Sequence, residues 1–206
     1  MKQENDYQKR ELLLEAARAE FMEKGYHNAS LRSICSKAGV TTGALYYFFE
    51  NKEDLFAAIA DPPIMELRRI LSEHFKEDAE KLAQTGFIEK KENDHNDISD
   101  LLVEHIYDHY DSIMLVLTAS GDTKYENIVD EFVRLVEEAM PAIMTVLPGY
   151  TYDEYLSHWM SHISIDAFIQ VIIHEKDKEK ARIMLRKIMD YLVKGWIELV
   201  MVKTEE

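Results

Sequence analysis

The sequence predicts an all-α protein, an N-terminal three-helix helix-turn-helix domain over residues 1–56 followed by a larger helical domain over residues 57–206. Three observations carry this expectation. Only 7 glycines and 4 prolines punctuate 206 residues, and long stretches repeat apolar residues at three- and four-residue spacing, the period of a helix with one buried face. Hydrophobic residues make up 47% of the chain, enough to fill a core in a chain of this length. The runs up to residue 56 are short and closely capped, whereas those beyond it are long.

In "ELLLEAARAEFMEKGY" the residues Leu13, Ala17 and Phe21 recur every fourth position, and Gly25 follows as a helix-ending residue. "NASLRSICSKAGV" then offers Ser30 as an N-cap, buried-type Leu31, Ile34, Cys35 and Ala38, and Gly39 as a terminator. Thr41 and Thr42 cap a third short helix, "TGALYYFF", and Asn51 caps a fourth that begins "KEDLF" with acidic residues in its first turn. Two short helices joined by a glycine turn form a helix-turn-helix. "DPP" at 61–63 is expected to kink or interrupt the fourth helix, because proline has no N–H and restricts the residue before it. Further helices are expected over 64–84, 97–118, 124–146, 152–175 and 178–202. A polar connection is expected at 86–97.

Composition narrows the class. No stretch approaches the roughly 20 apolar residues of a membrane span, and the N-terminus is charged where a signal peptide needs an apolar core, so a cytoplasmic location with no membrane partner is expected. The single cysteine excludes an internal disulfide and any zinc site built of cysteines. Cys35 itself sits among buried-type positions and reads as a small core residue. The net charge of −15 argues against nucleic acid as a partner. Its distribution argues the other way, because from Lys24 to Lys52 the cations Lys24, Arg32, Lys37 and Lys52 face only Glu50.

That small cationic stretch contains "TTGALYYFF". A helix-turn-helix lays its second helix in the major groove with the helix N-terminus aimed at base edges and its flanks on phosphates. Gly43 and Ala44, nearly without side chains, would let the backbone approach the groove. Thr41 and Thr42 offer hydroxyls and methyls to bases or phosphate. Tyr46 and Tyr47 each combine a flat apolar body with a hydroxyl for phosphate, while Phe48 and Phe49 are expected to face inward. Lys52 would place its ammonium and a positive helix end near the DNA backbone.

Residues from about 10 to 56, "AARAEFMEKGYHNASLRSICSKAGVTTGALYYFFENKEDLF" at their centre, resemble the N-terminal domain of the TetR family of transcriptional regulators. The match runs through the helix, glycine, aromatic, Ser cap, "AGV" turn, "LYYFF" and "NKEDL" in order and spacing, over about a quarter of the chain. Phe48 departs from the histidine that many relatives carry after the two aromatics. The resemblance implies a homodimer, a double-stranded DNA operator read by the N-terminal domain, and a C-terminal helical domain for ligand binding and dimerisation. It further implies a small-molecule inducer of unknown identity and no required cofactor. By this resemblance phosphate contact falls to Ser30, Tyr46, Tyr47 and Lys52, and groove contact to Arg32, Thr41, Thr42, Gly43 and Ala44.

Beyond residue 56 the pattern speaks of core and acidic exterior. "YLSHWMSHISIDAFIQVIIHE" and "KARIMLRKIMDYLVKGWIELVM" are apolar on more than one side, which marks them as dimer helices, with Trp159, Trp196, Phe168, Ile172, Met189 and Leu192 as candidate contacts. Tyr107, Tyr110, Met114, Met140, Met144 and Met160 are candidates for an adaptable apolar ligand pocket, with ordinary core packing as the alternative. Two histidine pairs at i, i+4, His105/His109 and His158/His162, would share a helical face and could hold a metal or haem. This leaves four readings: a ligand-released repressor, a metal- or haem-sensing regulator, an activator or DNA-binding scaffold with no ligand, and a metal-dependent enzyme. The enzyme reading lacks any histidine-glutamate zinc motif, phosphate loop or nucleophile elbow. In the regulator readings the fourth helix is expected to be the only covalent bridge between the two domains.

Overall fold

The computed structural model describes residues 2–85, 96–144 and 149–204, apart from the side chains of 2, 96, 140–142 and 144. Its helices are α1 Lys2–Asn28, α2 Leu31–Ala38, α3 Thr42–Phe48, α4 Lys52–Thr85, α5 Asn96–Asp108, α6 Tyr110–Ala119, α7 Ile128–Met144, α8 Glu154–His174 and α9 Lys178–Gly195. One π-helical turn, Trp196–Val200, follows α9. The only strands among the described residues are β1 Tyr150–Tyr152 and β2 Met201–Lys203, antiparallel, with Thr151 opposite Val202. The helical fold class stands as the sequence predicts it. Of the polar connection expected at 86–97, residues 86–95 lie outside the described residues, and Asn96 and Asp97 open α5 instead.

The chain forms two compact units. The first comprises 1–65 and 109–128, the second 66–108 and 129–206. In the first, α1 packs against α2, α3 and α6. Leu13, Ala17, Phe21, Ile34, Leu45, Leu55 and Phe56 are fully buried, and so is Leu115 of α6. Phe56 meets Phe21, Tyr26 and Tyr125 in one aromatic cluster, with ring centroids 5.1, 5.4 and 5.7 Å away. Tyr125, itself buried, donates its hydroxyl hydrogen to Asp61, and Lys124 reaches the same carboxylate at 3.1 Å. The chain therefore passes between the units three times, at 65/66, 108/109 and 128/129. The expectation of a single covalent bridge through α4 is corrected accordingly.

Three helix boundaries also differ from the periodicity. Helix α4 runs unbroken through Pro62 and Pro63. The two missing N–H groups are offset by burial on both sides of the prolines, at Ile59, Ala60, Ile64 and Leu67. The single helix expected over 97–118 is two, because His109 leaves the helical region (φ −118°, ψ 26°) and starts α6. The apolar stripe changes partner there, since Leu102, Val103 and Ile106 bury in one unit and Ile113, Leu115 and Val116 in the other. The last helix stops before 202 because Val200 O accepts from Asp153 N and Gly149 O accepts from Thr204 N, both at 3.0 Å, drawing the C-terminal residues into the ribbon.

In the second unit, α5 and α9 are joined by a ladder of ion pairs: Asp100 with Arg186 and Arg182, Glu104 with Arg182 and Lys178, and Asp108 with Lys178. Beneath it Val103, Val171, Ala181 and Leu185 form an apolar cluster with Tyr107 and Phe168. Met160, Leu192 and Val200 form another. Gly195 allows α9 to approach α8, since a Cβ there would stand 3.2 Å from Cε of Met160. Of the residues expected at a dimer contact, Ile172 and Leu192 are buried within the unit, and Trp196 is turned inward with its indole N–H on Ser164 Oγ at 3.1 Å. Trp159 is exposed.

Candidate nucleic-acid interface

Local chemistry fixes both helices of the helix-turn-helix. Ser30, extended at φ −116°, ψ 121°, accepts from Ser33 N and caps α2. Gly39 ends that helix in the left-handed region at φ 67°, where its lack of a side chain removes the strain. Thr41 Oγ1 accepts from Ala44 N at 3.2 Å and caps α3. Leu45 and Phe49 are buried, one turn apart, and they fix the rotation of α3. That rotation turns Tyr46 and Tyr47 outward, 59% and 71% exposed, with Phe48 half-buried against the edge of Tyr47.

Around these tyrosines the first turn of α3 is bare. Thr41, Thr42 and Gly43 are exposed and Ala44 is half-buried. A Cβ at Gly43 would meet nothing closer than Thr41 Oγ1 at 3.9 Å, so no contact among the described residues requires a glycine there. Glycine in a helix costs about 0.5–1 kcal/mol relative to alanine. The two tyrosine hydroxyls have no hydrogen-bond partner among the described residues. The result is an exposed helix face of two unanchored tyrosines beside two threonines and a glycine.

The four cations of this region are differently placed. Lys24 and Lys37 reach the Glu20 carboxylate at 2.7 and 2.8 Å, and Lys37 also reaches Glu23 at 3.1 Å. Lys52 donates to the carbonyls of Tyr26, His27 and Ala29. Arg32, exposed in the first turn of α2, has no ion pair or hydrogen bond to the described residues. Of these four cations, Arg32 alone has no partner among the described residues.

Glu20 was not singled out by the sequence reading, and it organises this unit. Its side chain is fully buried. It accepts from Lys24, from Ser33 Oγ at 2.9 Å and from Ser30 N at 3.4 Å, in addition to pairing with Lys37. Burial by itself would raise the carboxyl pKa, but the donors of Lys24, Lys37, Ser33 and Ser30 outweigh it and bring the pKa down to about 2. The signal that could have exposed it is its position three residues after Ala17, on the buried stripe of α1.

The other candidate residues are dispersed. Tyr110 and Met114 belong to the first unit, Tyr107 and Met160 to the second. Tyr107 donates its hydroxyl hydrogen to Glu175 O and packs with the Val103 cluster, whereas Met160 lies in the cluster of Leu192 and Val200. The side chains of Met140 and Met144 lie outside the described residues. His105 and His109 do not share a helical face, because α5 ends between them. His158 and His162 do, with ring centroids 4.7 Å apart, and His158 Nδ1 meets Glu137. Among the described residues no group of three or more His, Cys, Asp or Glu side chains is arranged to hold a metal ion.

Comparison with known proteins places these residues in context. The sequence profile described as "Bacterial regulatory proteins, tetR family" matches residues 13–59. Over 47 residues, 23% of this chain and 24% of that protein, the sequence is 45% identical to the HTH-type transcriptional regulator UidR of Escherichia coli (strain K12). Over 74 residues, 34% of this chain and 38% of that protein, it is 34% identical to the fatty acid metabolism regulator protein of Bacillus subtilis (strain 168). The matches thus span about a quarter to two fifths of these curated relatives. A transcriptional regulator from Aquifex aeolicus VF5 has a similar fold, with a TM-score of 0.54 over 89% of this chain and 99% of that one at 19% identity.

Proposed function

We propose, from the premise that residues 13–59 are an N-terminal domain of the bacterial tetR regulatory family, that this chain is a DNA-binding transcriptional regulator. It acts as a dimer on a two-fold symmetric operator and is released by a small molecule. The observation that carries the DNA-binding reading is the bare face of α3, where Tyr46 and Tyr47 stand exposed beside a Gly43 that no contact among the described residues requires. Exposed tyrosines whose hydroxyls have no hydrogen-bond partner among the described residues, next to a helix start with small side chains, fit a duplex groove and its phosphate rims.

Within this reading Tyr46 and Tyr47 hold phosphates through their hydroxyls, Ser30 lies at the backbone rim, and Thr41, Thr42, Gly43 and Ala44 approach base edges. Arg32 supplies the cation. An operator selected by the protein from a random duplex pool provides the test. Arg32→Ala should lower the slope of log affinity against log salt by about one for each head that binds. Thr42→Ala should change the preferred sequence at one base step by about 1–3 kcal/mol while leaving the slope alone. Arg32→Ala with the slope of the wild type would remove Arg32 from the interface, and failure to enrich any sequence would remove the operator reading itself.

The name of the Bacillus subtilis relative makes fatty acyl compounds the first class to titrate. A compound releases the operator only by as much as it prefers the DNA-incompetent arrangement. Release of the selected duplex by an acyl compound at concentrations below its micelle threshold supports this version, and indifference to a panel of acyl chain lengths excludes it.

A further inference from the structure

Lys52 is the first residue of α4, where a helix dipole disfavours a cation. Its side chain leaves that position for the end of α1. There Gly25, at φ 72° and ψ 164°, breaks the helical path. The carbonyls of Tyr26, His27 and Ala29 beyond it converge on the Lys52 ammonium at 2.8, 3.0 and 3.2 Å. An ammonium has three hydrogens, so these acceptors saturate it. The face of the Tyr26 ring lies 4.6 Å from the same nitrogen. The residue after the third carbonyl is Ser30, the cap of α2, and Arg32 follows in that helix's first turn.

We propose that Lys52 is a positioning residue, registering the start of α2 with Ser30 and Arg32 against the first turn of α4 and governing operator affinity without touching phosphate. This rests on the operator-binding reading above. A phosphate contact would require at least one of three internal hydrogen bonds to be given up, and would leave a carbonyl at the end of α1 without its donor. Bound where it is, Lys52 makes the rim of the helix-turn-helix follow α4. The start of α2 then keeps its place against the first turn of α4 within the first unit.

The test compares wild type, Lys52→Met and Lys52→Arg on the selected operator and on poly(dI-dC), across a salt series, well below each variant's unfolding midpoint. Lys52→Met should bind the operator on the order of tenfold more weakly, while its affinity for poly(dI-dC) and its salt slope stay those of wild type. Lys52→Arg, which keeps a cation with donors, should recover most of the loss. A fall on both DNAs with the slope reduced by about one per head would make Lys52 a phosphate ligand and overturn the proposal. Unchanged affinity on both would make it a local stabiliser and overturn it equally. Should wild type select no operator, amide exchange in the protein without DNA still decides. In Lys52→Met, exchange at Ser33 and Ile34 should rise at least tenfold while Leu45 and Phe49 hold. A uniform rise, or none, contradicts a local register.

Discussion

Placing glutamate at both Trp159 and Ile163 should convert the protein to a folded monomer and weaken its hold on an operator by at least a hundredfold. Tyr155, Trp159 and Ile163 recur every fourth residue along α8 and are all exposed; Ile183 and Tyr191 make a similar exposed stripe on α9. Trp159 is 52% exposed, so a carboxylate there costs the isolated chain little. In a two-fold interface the same carboxylates would be buried without partners, and each would count twice. Losing the pairing of two heads removes the effective concentration that makes the second half-site easy to reach. Sedimentation equilibrium and operator titration on the double variant check this. A dimer of wild-type strength would place the interface elsewhere. Ile172 is unsuitable for such a test because it is buried inside the unit, and a charge there would break the core before it reached any interface.

The second large effect is expected at Glu20. Glu20→Ala should destabilise the first unit by about 2–3 kcal/mol, because Ser30 N and Ser33 Oγ lose a buried acceptor while Lys24 and Lys37 can turn back toward water. The pH dependence has a definite sign. The folded pKa is about 2, below the ordinary glutamate value of 4.5. The contribution is therefore complete above about pH 4.5 and is lost as pH falls toward 2, where the folded state also takes the proton. Chemical denaturation of wild type and Glu20→Gln at pH 7, 4.5, 3 and 2 should show a stability gap that narrows over this window. A gap independent of pH would mean that the ionised carboxylate is not what holds the network.

These residues show what the sequence makes legible. The ends of α2 and α3 follow from Ser30, Gly39 and Thr41 because capping uses atoms within a few residues of the cap. The outward turn of Tyr46 and Tyr47 follows in the same way from the apolar spacing of Leu45 and Phe49. The network around Glu20 does not, because Ser33 and Lys37 lie 13 and 17 residues away and nothing local links them. Lys52 is a sharper case. Its acceptors inside the protein are 23 to 26 residues earlier, at a helix end whose carbonyl directions no periodicity reveals.

The same limit holds for the larger elements. Proline chemistry marks 61–63 as a break, yet burial around Ile59, Ala60, Ile64 and Leu67 carries α4 through it. Apolar spacing continues smoothly from Leu102 to Val116, and only tertiary partners tell that it serves two cores. The ribbon depends on pairing between residues about fifty positions apart. A short strand at the end of a helical run has no signal of its own.

The membership of residues 109–128 in the first unit bears on how this gene can recombine with that of a relative. A gene crossover near codon 65 would deliver a head whose Phe56 and Asp61 were matched to the donor's own counterpart of Tyr125 and Lys124, but would leave the recipient's residues in those places. The transplanted head would meet a surface chosen for another. If the chain reads an operator through α3, exchange of that specificity between relatives has two inheritable routes: substitution on the bare face of α3, where a Cβ at Gly43 meets nothing closer than 3.9 Å, or transfer of two separate stretches of gene at once. The first needs single-base changes and the second a double recombination, so new operators should be acquired along α3 far more readily than new heads.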